Sequence, residues 1–283
     1  MNQWVPTSPC DTGCVPETPR ASRLRVWIRV SAFIAFTVIA LTLGVSTLLL
    51  GRRVRHSYWR VSSRVVLASM GVRLTIDDQR AAGSRRLRGA LLVANHISFL
   101  DIVAMAAVAP ARFVAKREVL QMAGFGYVAK LFGVLPHVRG DLGRLAPAVA
   151  RAAGVLDRGR TVAVFPEGTT WCGGSSGRFR PAYFQAAVDA GVPVVPMRLT
   201  YTEVGRPAAL VGFIGDDSVG TTFARIVSAR KLAVTVTVFD LVLPVPDRRL
   251  LAEVCEEQII GIDPMRQWTL APVERSDSAP SRV

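Results

Sequence analysis

A chain of 283 residues, 50% of them hydrophobic, can bury the core of one large domain or two small ones, which excludes a wholly disordered protein. Its formal charge of +14, from 35 Lys+Arg against 21 Asp+Glu, attracts polyanions. No nucleic-acid motif or aromatic stacking block accompanies that charge, so anionic lipid or a phosphate-rich ligand is the expected partner and nucleic acid is not.

Residues 1–25 read as a disordered tail, with Pro6, Pro9, Pro16 and Pro19 and few large apolar side chains. Cys10 and Cys14 lie in it, and neither Cys172 nor Cys255 completes a zinc spacing with them; scattered cysteines fit reduced thiols in a cytosol-facing chain. Residues 26–70 read as a membrane-associated helical segment. The uncharged run Val30–Leu50 is long enough, at about 1.5 Å per residue, to cross a hydrocarbon core of about 30 Å. It is too long for a signal-peptide core, and no A-x-A cleavage site follows it. Arg20, Arg23, Arg25 and Arg29 before the run nearly balance Arg52, Arg53, Arg55, Arg60 and Arg64 after it, so charge does not orient it. A single span and a hairpin with Tyr58–Met70 as second helix are both open.

The globular domain is placed at 71–265. Val72–Ile76 alternates like a strand, the stretch 77–89 reads as a turn, and Leu91–Ala94 is a buried-strand run that delivers His96 to a strand end. Five residues of helix would set His96 and Asp101 roughly 140° apart, so they meet only if the helix starts after the histidine. Ser98 with Asp101 three residues on is a capping-box pattern that supplies this start, ahead of Ile102–Met105. A strand at Arg112–Ala115 leads to Lys116 and Arg117. Next come a helix over Val119–Leu131, a strand at Gly133–Val138, a helix at Leu142–Leu156 and a buried strand at Thr161–Phe165, which ends in the turn Pro166–Thr170. Pro181–Ala190 reads as helix, Val192–Leu199 and Leu232–Leu243 as strands, Asp247–Ile262 as a closing helix and 266–283 as a frayed tail. The class is α/β, a mostly parallel sheet flanked by helices behind an N-terminal hydrophobic membrane helix or two-helix hairpin.

Four blocks stand in order: N-H-x-x-x-x-D at Asn95–Asp101, Gly133–Arg139, F-P-E-G-T at Phe165–Thr169, and Val192–Met197. Together they resemble the membrane-associated glycerolipid acyltransferases, the family of 1-acylglycerol-3-phosphate acyltransferases. The resemblance implies that 71–265 is a catalytic domain on the cytoplasmic side of the cell membrane. It also implies a lysophospholipid hydroxyl as acceptor, with acyl-CoA or acyl-ACP as co-substrate and no bound cofactor. His96 would be the base and Asp101 its orienting partner. Lys116 and Arg139 would bind phosphate, Gly168 and Thr169 the acceptor, and Glu167 acceptor hydroxyls or a basic neighbour, with N–H groups near Gly168 facing the oxyanion. No serine nucleophile is expected, because the acceptor itself attacks, and no metal, since His56 and His137 lack ligand spacing.

One position departs from the family pattern. Many relatives with a phosphorylated acceptor carry arginine after E-G-T, where this chain has Thr170, then Trp171–Gly174. Arg178 or Arg180 would have to fold back; otherwise an acceptor such as lyso-ornithine lipid is implied. A non-catalytic membrane scaffold and a hydrolase are the rival classes.

Overall fold

The computed structural model describes residues 6–16, 18–81, 89–121, 126, 129, 132–138, 140–215 and 217–261. Helices α1 (Arg23–Ser46) and α2 (Arg52–Ser69) come first, then β1 (Arg73–Asp78), β2 (Leu91–Ala94), α3 (Leu100–Val108), β3 (Arg112–Lys116), β4 (Leu135–His137) and α4 (Leu142–Asp157). The chain continues through β5 (Val162–Val164), α5 (Phe184–Asp189), β6 (Val194–Glu203), β7 (Arg206–Pro207), α6 (Val219–Ser228), β8 (Leu232–Val238) and α7 (Arg248–Ile260).

The strands form one sheet in the order β1-β8-β6-β2-β5-β3-β4, with β7 on the end of β6. β2 runs parallel to both β5 and β6, and β3 parallel to both β5 and β4. The mostly parallel expectation holds there and stops at β8, which is antiparallel to β6 and carries β1 parallel to itself. Side-chain patterning follows position. β2 and β5, covered on both faces, are buried at every residue, whereas Leu232–Val238 alternates buried and half-buried. Leu92 and Ala94 pack with Leu67, Leu100, Met105 and Val236 on one face; Leu91 and Val93 pack with Leu156, Phe184 and Leu251 on the other. Burying each leucine is worth about 1.5–3 kcal/mol, enough to hold the register that sets where the β2 and β5 turns emerge.

The N-terminal helices pair as a hairpin. A Cβ on Gly44 would stand 2.4 Å from the Trp59 ring, so only glycine lets the helices approach this closely, and the Tyr58 hydroxyl donates to the Ala40 carbonyl at 2.8 Å. The second helix starts at Arg52, six residues before Tyr58. The base of α1 rests on the domain: Arg29 donates to the Val227 and Ala229 carbonyls at 2.8 and 2.7 Å, satisfying the end of α6, and Phe33 meets Phe223 at 4.9 Å. Farther along, Phe36, Ile39, Leu43 and Leu49 are exposed. The continuous helical stretch Arg23–Leu49 holds an 18-residue window of mean hydropathy 2.2 and is long and apolar enough to cross a membrane.

Three expectations change. Residues 6–16 are not free: Cys10 is buried, and Thr12–Cys14 forms a 3-10 turn against the domain. Arg117–Gln121 is a 3-10 turn, and most of the helix placed at 119–131 lies outside the described residues, as do 1–5, 82–88 and 262–283. Helix α6, with Ser218 accepting from the Thr221 N–H as its cap, had no forecast in the sequence.

Candidate active site

Because β2 and β5 are parallel neighbours, with Val93 opposite Val164, the turns after them emerge side by side at the carboxyl edge of the sheet. The site is built across that seam. The Glu167 carboxylate accepts from the His96 N–H at 2.6 Å with one oxygen and from the Gly177 N–H at 2.8 Å with the other. On the other side of β2, Asn95 clamps β6 through both amide atoms, donating to the Leu199 carbonyl at 3.0 Å and accepting from its N–H at 2.8 Å.

His96 and Asp101 meet as the spacing required. His96 Nδ1 is 2.9 Å from Asp101 Oδ2, and the same oxygen accepts from the Ile97 and Ser98 N–H groups at 2.7 and 2.8 Å. Asp101 is fully buried. A carboxylate that only accepts puts the imidazole proton on Nδ1 and leaves Nε2 its lone pair. Nε2 has no protein partner among the described residues. The ring stacks on Phe165 at 4.0 Å and 11°, so the F-P-E-G-T turn fixes the imidazole plane as well as its backbone. Half of the capping box forms: Asp101 accepts from Ser98, but the Ser98 hydroxyl is buried without a partner among the described residues, and Phe99 is the N-cap.

Other candidates fall as follows. Lys116 ends β3 at the same sheet edge and is exposed; Arg139 lies outside the described residues. Glu167 is 3% exposed and turned onto backbone N–H groups, which differs from a carboxylate offered to an acceptor. Gly168 has φ +74°, and its N–H donates to the Phe165 carbonyl at 3.0 Å, so this group closes the turn and is not available to an oxyanion. Thr169 follows it. The Thr170 hydroxyl bonds the Phe213 carbonyl, anchoring the loop. Arg180 passes beside the turn, its Cδ 3.7 Å from where a Cβ on Gly168 would lie, while its N–H donates to the Pro166 carbonyl at 2.9 Å.

A model of the Acyltransferase family matches residues 75–200, which contain both motif turns. Over 174 residues, 61% of this chain and 67% of the relative, the sequence is 34% identical to a 1-acyl-sn-glycerol-3-phosphate acyltransferase of Neisseria meningitidis. The chain belongs to the 1-acylglycerol-3-phosphate acyltransferase-like family. This acyltransferase is also 34% identical, over 61% of its length and 66% of the relative's, to a lyso-ornithine lipid O-acyltransferase of Pseudomonas aeruginosa; these matches span about two thirds of each relative. Its fold is that of the crystallised 1-acyl-sn-glycerophosphate acyltransferase PlsC of Thermotoga maritima, with TM-score 0.63 and 19% identity over 84% of this chain and 94% of that one.

Tyr201 of the acyltransferase escaped the sequence reading. Its hydroxyl donates to Asp101 Oδ1 at 2.7 Å. Complete burial, then the charge of Asp101 beside it, push that hydroxyl well above its ordinary range, so it stays a donor. On the period-two pattern of β6, Tyr201 looks like one more core residue, and nothing local points across a hundred positions to Asp101. Tyr201→Phe is expected to lower kcat several-fold with KM unchanged and to cost about 1 kcal/mol of stability, read by denaturation; an unchanged kcat would leave Tyr201 a packing residue.

Two further points concern the loop after the motif. Gly173–Gly177 fits the G-x-S-x-G pattern of serine hydrolases, a match to be set against the expectation of no serine nucleophile. It forms no strand-to-helix elbow, and the Ser175 hydroxyl faces the sulfurs of Cys10 and Cys172 at 3.3 and 3.5 Å. The fold also does what cysteine spacing could not, bringing Cys172 to Cys10 and Cys14. Burial raises the Cys172 thiol, but hydrogen bonding, chiefly with Ser175 and Gly174, outweighs it and brings the group down to about 7.

Proposed function

We propose that this acyltransferase moves a fatty acyl group from acyl-CoA or acyl-ACP to the free hydroxyl of a lysophospholipid, with 1-acyl-sn-glycerol-3-phosphate as acceptor and phosphatidic acid as product. The buried Asp101 set on Nδ1 of an imidazole whose Nε2 has no protein partner among the described residues is the observation that carries this reading. Nε2 takes the acceptor's hydroxyl proton as its oxygen attacks the thioester carbonyl. Asp101 stabilises the imidazolium. The tetrahedral intermediate then expels the thiolate, which takes the proton from His96. Neither an acyl-enzyme nor a metal has a part in these steps. The oxyanion is assigned to the N–H groups of Thr169 and Thr170, which have no protein partner among the described residues.

The acceptor phosphate is assigned to Lys116 and Arg180, and on the strength of the second block to Arg139 as well. Arg180, whose stem runs along Gly168, replaces the arginine absent at Thr170. Charge-assisted bonds of this kind are worth about 1.5–3 kcal/mol, so Arg180→Ala should raise KM for lysophosphatidic acid on the order of ten- to a hundred-fold with little change in kcat. A panel of lysolipids read by product mass provides the check. Preference for lyso-ornithine lipid, with no effect of Arg180→Ala, would move the acceptor to that branch and make Thr170–Trp171 its marker.

Acyl thioesters of these carriers are cytosolic, which places the catalytic domain on the cytoplasmic face, held by the α1–α2 hairpin. A protease site introduced after Ile260 should be cut in inverted vesicles and protected in intact cells; the reverse pattern overturns this orientation.

A further inference from the structure

The sulfurs of Cys10, Cys14 and Cys172 lie within 4.8 Å of one another. Two features of the sequence bring this about. The 3-10 turn Thr12–Cys14, opened by the Asp11 side chain accepting from the Gly13 N–H at 2.9 Å, folds Cys14 back beside Cys10. The loop after F-P-E-G-T presents Cys172 from the domain. Groups able to donate then converge on the sulfurs: the Cys172 N–H donates to Cys10 Sγ at 3.4 Å, and the Ser175 hydroxyl, with one proton to give, lies 3.3 Å from Cys10 Sγ and 3.5 Å from Cys172 Sγ. Buried thiols that serve only as small apolar side chains need no such donors, whereas thiolates bound to a cation do.

The packing around the cluster is thin. Cys10, Cys172 and Ile214 are its buried members, with Val15, Trp171 and Ala209 at its margin, and residues 6–16 join no strand of the sheet. So small an apolar contact is a weak hold for a proline-rich tail that must lose its chain entropy to lie there. A cross-link through metal supplies what the contact lacks, since bound metal contributes directly to folding free energy.

We propose that Cys10, Cys14 and Cys172 together bind one zinc-class, thiol-seeking divalent ion that staples the N-terminal tail to the loop following the F-P-E-G-T turn. Three thiolates at Zn–S distances of about 2.3 Å put the sulfurs roughly 3.8 Å apart, a small contraction from the arrangement present. The fourth tetrahedral position falls to solvent on the side of Cys14, which is exposed. Three thiolate ligands select zinc over magnesium or calcium. The staple sits next to the reaction site: the Trp171 N–H donates to the His96 carbonyl at 2.8 Å, and Pro6 of the tail lies against Gly168.

Metal content is the direct test, and it is read without turnover. The full-length protein, expressed with zinc in the medium and purified in detergent under reducing conditions without chelator, is expected to carry about one zinc per chain by mass spectrometry of the elements. Cys14→Ser, an exposed substitution that leaves the core intact, should lower that content at least about fivefold, as should Cys172→Ser, while Cys255→Ser retains it. A mercurial should release the zinc to a chromophoric chelator. Wild-type protein without zinc after reconstitution, zinc retained in both Cys14→Ser and Cys172→Ser, or an intact mass showing a Cys10–Cys172 disulfide in place of bound metal would each overturn the proposal.

Discussion

Asp101→Asn is expected to lower kcat by a hundredfold or more while leaving the protein folded, within the range of about 10²–10⁴ that positioned acid–base groups supply. The neutral amide can put its oxygen where Oδ2 stands and still accept from His96 Nδ1 and from the Ile97 and Ser98 N–H groups. Its NH2 then faces Tyr201, whose hydroxyl turns to accept. Geometry therefore survives, and what is lost is the negative charge that stabilises the imidazolium. His96→Ala removes the base itself and should cost at least as much in kcat, with thermal unfolding unchanged because the ring is stacked at the site and not in the core. Asp101→Ala is the less informative change: it strands two buried N–H groups and a hydroxyl at about 1–3 kcal/mol each and confuses folding with chemistry. The Asn variant separates them. Turnover near wild type in either His96→Ala or Asp101→Asn would remove the mechanism.

Glu167→Ala should destabilise the protein by about 2–4 kcal/mol and cut kcat more than it raises KM. The reason is that a 3%-exposed carboxylate accepts from the part-buried N–H groups of His96 and Gly177, and its loss takes that acceptor from both. The His96 backbone then loses its tie to the β5 turn, and the imidazole loses its fixed distance to the acceptor. Glu167→Gln is expected to fall between, because an amide accepts through one oxygen only. Denaturant unfolding with steady-state kinetics tests the assignment: a higher KM with unaltered stability would instead make Glu167 an acceptor-binding group.

The sequence carried the centre of this molecule and lost its margins for identifiable reasons. Leu91–Ala94 and Val162–Val164 are unbroken apolar runs because both faces of those strands are covered, so they, and the polar turns that follow them, could be read directly. The His96–Asp101 pair was legible because helix geometry over five residues demands a break between them. Glu167 was named, but its inward turn onto two N–H groups depends on strands β2 and β5 being neighbours. Tyr201 belongs to the same class: its periodicity reports burial, and only the fold supplies Asp101 as its partner. The reversal of β8 was hidden since strand direction leaves no local trace, although the alternation of Leu232–Val238 marks a strand with two unlike faces. The tail was misjudged on composition, because Cys172, the side chain that receives it, lies 162 residues beyond Cys10.

The most direct measurement of the central claim is single-turnover transfer from a labelled acyl-thioester to lysophosphatidic acid by the purified protein, read as product mass beside thiol release, with His96→Ala alongside. Formation of phosphatidic acid in step with thiol release by the wild type, and neither by folded His96→Ala, is the predicted result. Thiol release that proceeds at the same rate without any lysolipid, or product formed normally by His96→Ala, would contradict it.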